Sequence, residues 1–124
     1  MLQTNIKIDD YYSETLVARN GMCSQAPFLI SGQGPEPIFA WSEAQKQFTD
    51  ELTGYTLYLS QNTTYRGKHY VQNPIAVSFN GMSKSEATSF KFGDTVTVTR
   101  LRGYYSRKRK QFRWKADGIK KEGE

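Results

Sequence analysis

Thr95-Val96-Thr97-Val98-Thr99 is an unbroken run of β-branched residues in which polar and apolar side chains alternate, so it can hardly be anything but a half-buried strand. Three further segments carry the same period of two. Tyr55, Leu57 and Leu59 alternate with Thr56, Tyr58 and Ser60. Ile75, Val77 and Phe79 alternate with Ala76, Ser78 and Asn80, and Phe112, Trp114 and Ala116 share one face of the segment that starts at Gln111. Turn chemistry separates these segments: Asn80-Gly81 closes one strand, Phe92-Gly93-Asp94 leads into the Thr/Val run, and a polar loop from Gln61 to Lys68 contains Gly67. Pro74 stands at the start of its strand, where a missing donor is tolerated. Ser83-x-x-Glu86 is a capping box for a short helix ending near Ser89.

The order is strand, strand, short helix, strand, basic loop, strand, with one more strand expected from residues 61–72 or from the N-terminal part. Five short strands with a helix between the third and fourth predict a mainly β chain folded as a five-stranded Greek-key barrel, the OB-fold. Residues 1–45 are looser. Ile6 and Ile8 alternate with polar neighbours, Leu16-Val17-Ala18 ends at Asn20-Gly21, and Pro27, Pro35 and Pro37 with Gly32 and Gly34 interrupt residues 27–37. Residues 1–45 are therefore expected to form an irregular N-terminal arm with a strand and a loop, and residues 46–124 the OB-fold domain, one structural unit overall. Ser42 to Phe48 fits a helical turn or an irregular segment equally well.

A chain of 124 residues can bury a core without covalent staples. Cys23 is the single cysteine, which excludes an intrachain disulfide and is compatible with a reducing compartment. No run approaches the ~18 apolar residues of a membrane helix, and no basic-then-apolar leader is visible. The expected location is the cytoplasm, with no membrane partner. Asn62-Thr63-Thr64 matches a glycosylation acceptor pattern that has little meaning without secretion.

The charge is unevenly placed. Residues 1–99 hold seven Lys/Arg against nine Asp/Glu, a net of −2, and residues 100–124 hold ten against three, a net of +7. Such asymmetry calls for an anionic partner. Within Arg100–Lys115, RLRGYYSRKRKQFRWK, half of the residues are Lys or Arg and four are aromatic. Cations meet phosphates and flat rings meet unstacked bases, a combination suited to nucleic acid. An anionic membrane would want a basic amphipathic helix, whereas this segment is rich in strand-forming aromatics.

Parity divides the segment. If Phe112 and Trp114 face the core, Arg113 and Lys115 face away. Strict alternation from Val96 and Val98 would bury Arg100 and Arg102, so either a bulge near Thr99-Arg100 or the strand leaving the barrel is expected. Leu101 then points inward, and Arg100 and Arg102 join the cationic face. The expected contacts are Arg100, Arg102, Tyr104, Tyr105, Arg107, Lys108, Arg109, Lys110, Arg113 and Lys115. Trp114 is read as core, with base stacking the alternative. A second aromatic-basic cluster adds Tyr58, Tyr65, Arg66 and Lys68, with Tyr70 beside them. Solvated charge and exposed tyrosines are the plain alternatives for both clusters. Arg107-Lys108-Arg109-Lys110 also resembles a nuclear-localisation patch.

The sequence argues against an enzyme. His69 is the single histidine, and no Cys, His or carboxylate partners stand at metal-ligand spacing. Asp9-Asp10 and Asp50-Glu51 are adjacent carboxylates that a strand would point to opposite faces. Gly32-Gln33-Gly34 runs into Pro35 rather than opening a helix that cradles phosphate. No cofactor and no metal are expected.

The stretch Ser85-Glu-Ala-Thr-Ser-Phe-Lys-Phe-Gly-Asp-Thr-Val-Thr-Val-Thr-Arg-Leu101 resembles the helix-to-fourth-strand passage of bacterial single-stranded-DNA-binding proteins. A short helix, a Lys-Gly-Asp-like turn and an alternating Val strand are followed there by a basic or aromatic hairpin and a last strand. The resemblance covers roughly residues 54–120 and is nearer to the small members carried by conjugative plasmids and phages. Two features depart from the family. Thr99-Arg100 stands where Gly is common, and the chain ends Lys120-Lys-Glu-Gly-Glu124 rather than in an acidic partner-recruiting tail. The resemblance implies largely sequence-independent binding of single-stranded DNA, in replication or conjugative transfer of a mobile element. RNA is the alternative ligand, and a structural or interaction protein of a phage or plasmid is the alternative class. The N-terminal arm is suited to docking on a second copy, as a homo-oligomer.

Overall fold

The computed structural model describes residues 11–71, 73–107 and 109–122. The chain is mainly β, with two short helices. Four strands come from the alternating segments: β3 (Gln47–Ser60), β6 (Ile75–Asn80), β7 (Thr95–Thr99) and β9 (Gln111–Lys115). Their inward rows are buried in one core: Tyr55, Leu57 and Leu59 from β3, Val77 and Phe79 from β6, Val96 and Val98 from β7, Trp114 from β9 with Ala116 just beyond it. Burying each large apolar side chain contributes about 1.5–3 kcal/mol, so these rows set which way every strand faces. The helix α2 (Lys84–Ser89) starts where the capping box places it, Ser83 Oγ accepting the Glu86 N–H at 3.1 Å. Its Ala87 enters the core.

Eight strands form one sheet, in the order β10-β7-β1-β3-β6-β9-β8 with β2 also on β3. Here β1 is Phe28–Ile30, β2 Glu36–Ser42, β8 Arg102–Ser106 and β10 Gly118–Lys121. Every neighbouring pair is antiparallel except β6 with β9, which is parallel. Among the described residues no ladder joins β10 to β8, so the sheet is not closed. The expected five-stranded barrel is thereby corrected, for two physical reasons. First, the last hairpin kinks. Arg100 adopts φ 55° and Leu101 turns inward, which splits one long hairpin into a β7–β10 half and a β8–β9 half. The alternation thus breaks at Arg100, between the end of β7 and the start of β8. Second, residues 28–30 and 36–42, expected to be an irregular arm, are strands. Phe28 is fully buried between β3 and β7, yet three residues are too few to show a period.

The Ser42–Phe48 segment is a hairpin turn between β2 and β3, closed by Ser42 Oγ accepting the Gln45 N–H at 3.2 Å. It is therefore a cap-like bond used in a turn, and no helix forms. The Gln61–Lys68 loop contains strands too. β4 (Asn62–Tyr65) and β5 (Lys68–Val71) pair around Arg66 and Gly67, whose φ values of 51° and 77° make a hairpin turn. At the other end of the chain, helix α1 (Thr15–Arg19) buries Val17. Ser13 docks it on β8 through two backbone bonds with Gly103, of 2.7 and 2.9 Å. Residues 1–10, with Ile6, Ile8 and Asp9-Asp10, lie outside the described residues.

Gly103 is where the docked segment, β8 and the core meet. A Cβ there would collide with the Trp114 ring. We expect Gly103→Ala to lower stability by about 1–3 kcal/mol through overpacking, read as a lower urea midpoint. Gly67→Ala, whose added methyl meets nothing within 4 Å, should cost about 1–2 kcal/mol, from its left-handed backbone conformation alone.

Candidate nucleic-acid interface

The β8–β9 register sorts the basic segment into faces. Tyr105 lies opposite Phe112 and Gly103 opposite Trp114, while Tyr104 lies opposite Arg113 and Arg102 opposite Lys115. Residues directly opposite share a face. Trp114 is buried, as the core reading requires. Phe112 is not, and this corrects the expectation that it faces the core. It has the core-side parity but lies past the edge of the core, 44% exposed, beside Tyr105 at 46%. The two rings meet edge to face at 4.9 Å, and Phe112 stacks on Trp114 at 6.0 Å.

The opposite face carries the cations. Arg113 and Lys115 are half-buried there. Tyr104 packs on Tyr12 at 4.9 Å and approaches Tyr11 at 6.3 Å. The Lys115 ammonium stands 5.3 Å from the centroid of the Tyr12 ring. At the hairpin tip Arg107, Arg109 and Lys110 are exposed, and Ser106 Oγ accepts the Arg109 N–H at 3.2 Å. Lys108 lies outside the described residues, as does the Tyr65 side chain.

Arg102 lies on this face by register, opposite Lys115, but offers almost no surface to a ligand. It is only 6% exposed, and its guanidinium donates to Asp117 Oδ1 at 2.6 Å and to the Arg100 carbonyl at 3.2 Å. Past the kink Arg102 falls beneath the 116–117 turn, and Asp117 neutralises it. Arg100 is exposed as expected, but it too faces acid, with Asp117 at 3.5 Å and Glu14 at 3.7 Å. These two arginines hold the kink.

Two clefts run together across β3, β6 and β9. One, of about 310 Å³, lies among Tyr12, Ile38, Tyr104 and Lys115. The other, of about 370 Å³, lies among Thr56, Tyr58, Gln111 and Phe112. Ser78, Arg109 and Arg113 line both, so they form one groove. Its far end is Tyr58, whose phenol is pushed above its usual pKa by burial, then by a hydrogen bond to Glu36 and by that carboxylate's charge. Arg66 and Lys68, on the separate β4–β5 hairpin, line neither cleft. The sequence reading missed Tyr12, whose signal was the Tyr11-Tyr12 pair, and Ser78 and Asn80, which carry no pattern. It also missed a row of exposed apolar side chains on the β2–β3 hairpin: Phe39 opposite Leu52 and Trp41 opposite Phe48. Among the described residues no group of three or more His, Cys, Asp or Glu is placed to hold a metal ion, and no helix is long and apolar enough to cross a membrane.

The division of labour among the arginines is measurable. Arg102→Ala should destabilise the fold by about 1–3 kcal/mol, through lost packing and a lost charge-assisted bond. Arg113→Ala should stay within about 0.5 kcal/mol of wild type. Urea unfolding of the two variants checks both. Comparison with protein-family models, with curated proteins and with solved structures gives no match for this chain, so the purpose of the groove is read from its chemistry.

Proposed function

We propose that this protein binds single-stranded DNA along the β3–β6–β9 groove, largely without sequence preference. The observation that carries the reading is the lining of that one groove by Arg109, Arg113 and Lys115 together with Tyr12, Tyr58 and Tyr104. The cations neutralise phosphates and release counterions, and the rings offer faces that accept any base. Arg107 and Lys110 at the hairpin tip extend the positive wall, and Lys108 stays in the reading from its place in the sequence alone. Tyr105 with Phe112 offers a further stacking edge. Arg66, Lys68 and Tyr65 stay in the reading as outlying contacts of the β4–β5 hairpin.

The architecture supports this without deciding it. The helix falls between β6 and β7, and the groove crosses the neighbouring strands β3, β6 and β9 and is walled by the last hairpin. OB-folds, partly open Greek-key barrels, bind on that face and between those loops. We read the sheet as an elaborated arrangement of that kind, in keeping with the resemblance to plasmid- and phage-borne single-stranded-DNA-binding proteins. Replication or conjugative transfer of a mobile element is the setting we propose, in the cytoplasm and without catalysis. A second reading, an interaction protein that assembles with copies of itself, is favoured by the exposed Phe39, Trp41, Phe48 and Leu52.

Fluorescence anisotropy on oligo-thymidine, duplex DNA and RNA at two salt concentrations tests the proposal. Affinity for the single strand should fall steeply with salt, with a log–log slope of about 0.7 per phosphate neutralised. Arg113→Ala should reduce that slope by about one such contact. Tyr104→Ala should cost about 1–3 kcal/mol and leave the slope unchanged. Equal affinity for duplex and single strand would remove the stacking part. Tighter binding of RNA would reassign the ligand, and no binding at low salt would end the reading.

A further inference from the structure

Phe92 is 80% exposed, more than any other large hydrophobic side chain among the described residues. Single exposed apolar residues are ordinary, but this one is mounted on an anchored turn. Asp94 Oδ2 accepts the Lys91 N–H at 2.8 Å, and the Asp94 N–H donates back to the Lys91 carbonyl at 2.9 Å. Gly93, at φ 88°, donates to the Ile30 carbonyl at 2.9 Å, and the Ile30 N–H returns a bond to the Asp94 carbonyl at 2.9 Å. The turn is thereby tied to the buried strand β1, and the ring it carries is held out from the surface.

Beside the ring a cleft of about 280 Å³ opens between this turn and the 31–35 loop, lined among others by Gly32, Gln33, Lys91 and Phe92. Gly32 leaves space beside the ring, which a Cβ added there would just reach, at 3.5 Å from Phe92 Cδ2. The far wall is Tyr58, which also ends the groove described above. Gly34, at φ 71°, lies so close that a Cβ would stand 3.0 Å from Tyr58 Cδ2. One tyrosine therefore separates two clefts, with glycines on the outer side leaving room beside it.

We infer that Phe92 and Lys91 form an end subsite of the groove that takes one nucleotide of a single strand, stacking its base on the Phe92 ring and meeting its phosphate with the Lys91 ammonium. This rests on the single-strand reading above. The strand passes over Tyr58 and ends against the turn before β7.

The test is an abasic scan on an oligo-thymidine strand of about ten nucleotides, within the range of OB-type sites. A single base is removed at each position in turn, and affinities are measured by anisotropy for wild type and Phe92→Ala. Near one end of the strand, base removal should weaken wild type by at least about fivefold and leave Phe92→Ala unchanged. Phe92→Trp should restore the sensitivity at that position. Melting temperatures should coincide, because the side chain is exposed. The same abasic profile in wild type and Phe92→Ala overturns the subsite and leaves the groove standing. Failure of wild type to bind the intact strand overturns both.

Discussion

The kink in the last hairpin organises the molecule. At Arg100 the backbone enters a left-handed conformation that costs a non-glycine residue about 1 kcal/mol or more. What holds it there is tertiary packing: Leu101 drops into the core, and the buried Arg102 guanidinium closes on Asp117 at 2.6 Å. The two halves of the hairpin then have separate duties. The β7–β10 half stays against β1 and completes the core, whereas the β8–β9 half leaves with β6 as its neighbour and becomes the wall of the groove. Without the kink, alternation would drive Arg100 and Arg102 along the row of Val96 and Val98.

The same constraint ranks the cations. A run of Lys and Arg looks uniform in composition, but the fold spreads it over different dielectric surroundings. Arg102 is desolvated and paired, and removing one partner of such a contact strands the other. Arg100 is exposed and shared between two carboxylates, where water screens each pair. Arg109, Arg113 and Lys115 face the groove. A polyanion would therefore draw its electrostatic gain from a subset of the positive charge, and the aromatic rings would supply a comparable share. Tyr12 illustrates the coupling. It reaches the groove because Ser13 is clamped to Gly103, so the start of the described chain contributes a ring to a site whose cations come from its end.

Much of the fold was legible because local chemistry and burial agreed. In three of the four alternating segments the inward row supplied the core, as in Tyr55-Leu57-Leu59, Val77-Phe79 and Val96-Val98. The helix cap at Ser83 and the break before Leu101 were legible for the same reason: each solves a problem that the chain states locally. The failures share a different cause. Phe28–Ile30 is too short for a period, and β2 follows Pro35 and contains Pro37, which suggested a loop. Thr49 and Thr53 donate their hydroxyls to the Ala40 and Ile38 carbonyls, at 3.0 and 3.1 Å, where the long β3 bulges against β2. Irregular pairing of that kind erases alternation from the sequence. Phe112 had the right parity and the wrong depth, because parity says which way a side chain points but not where the core ends.

The sequence by itself determined the strand rows, the helix between β6 and β7, the need for a break at Thr99-Arg100 and the concentration of charge in the last fifth of the chain. All of these follow from covalent geometry and from the period of apolar side chains, which act over a few residues. Only the tertiary structure decided the eight-stranded sheet, the burial of Arg102 against Asp117, the exposure of Phe112 and Phe92, and the meeting of Tyr12, Tyr58 and Arg113 in one groove. Those depend on which strands lie side by side, and strand neighbours are chosen by long-range burial that no local pattern records.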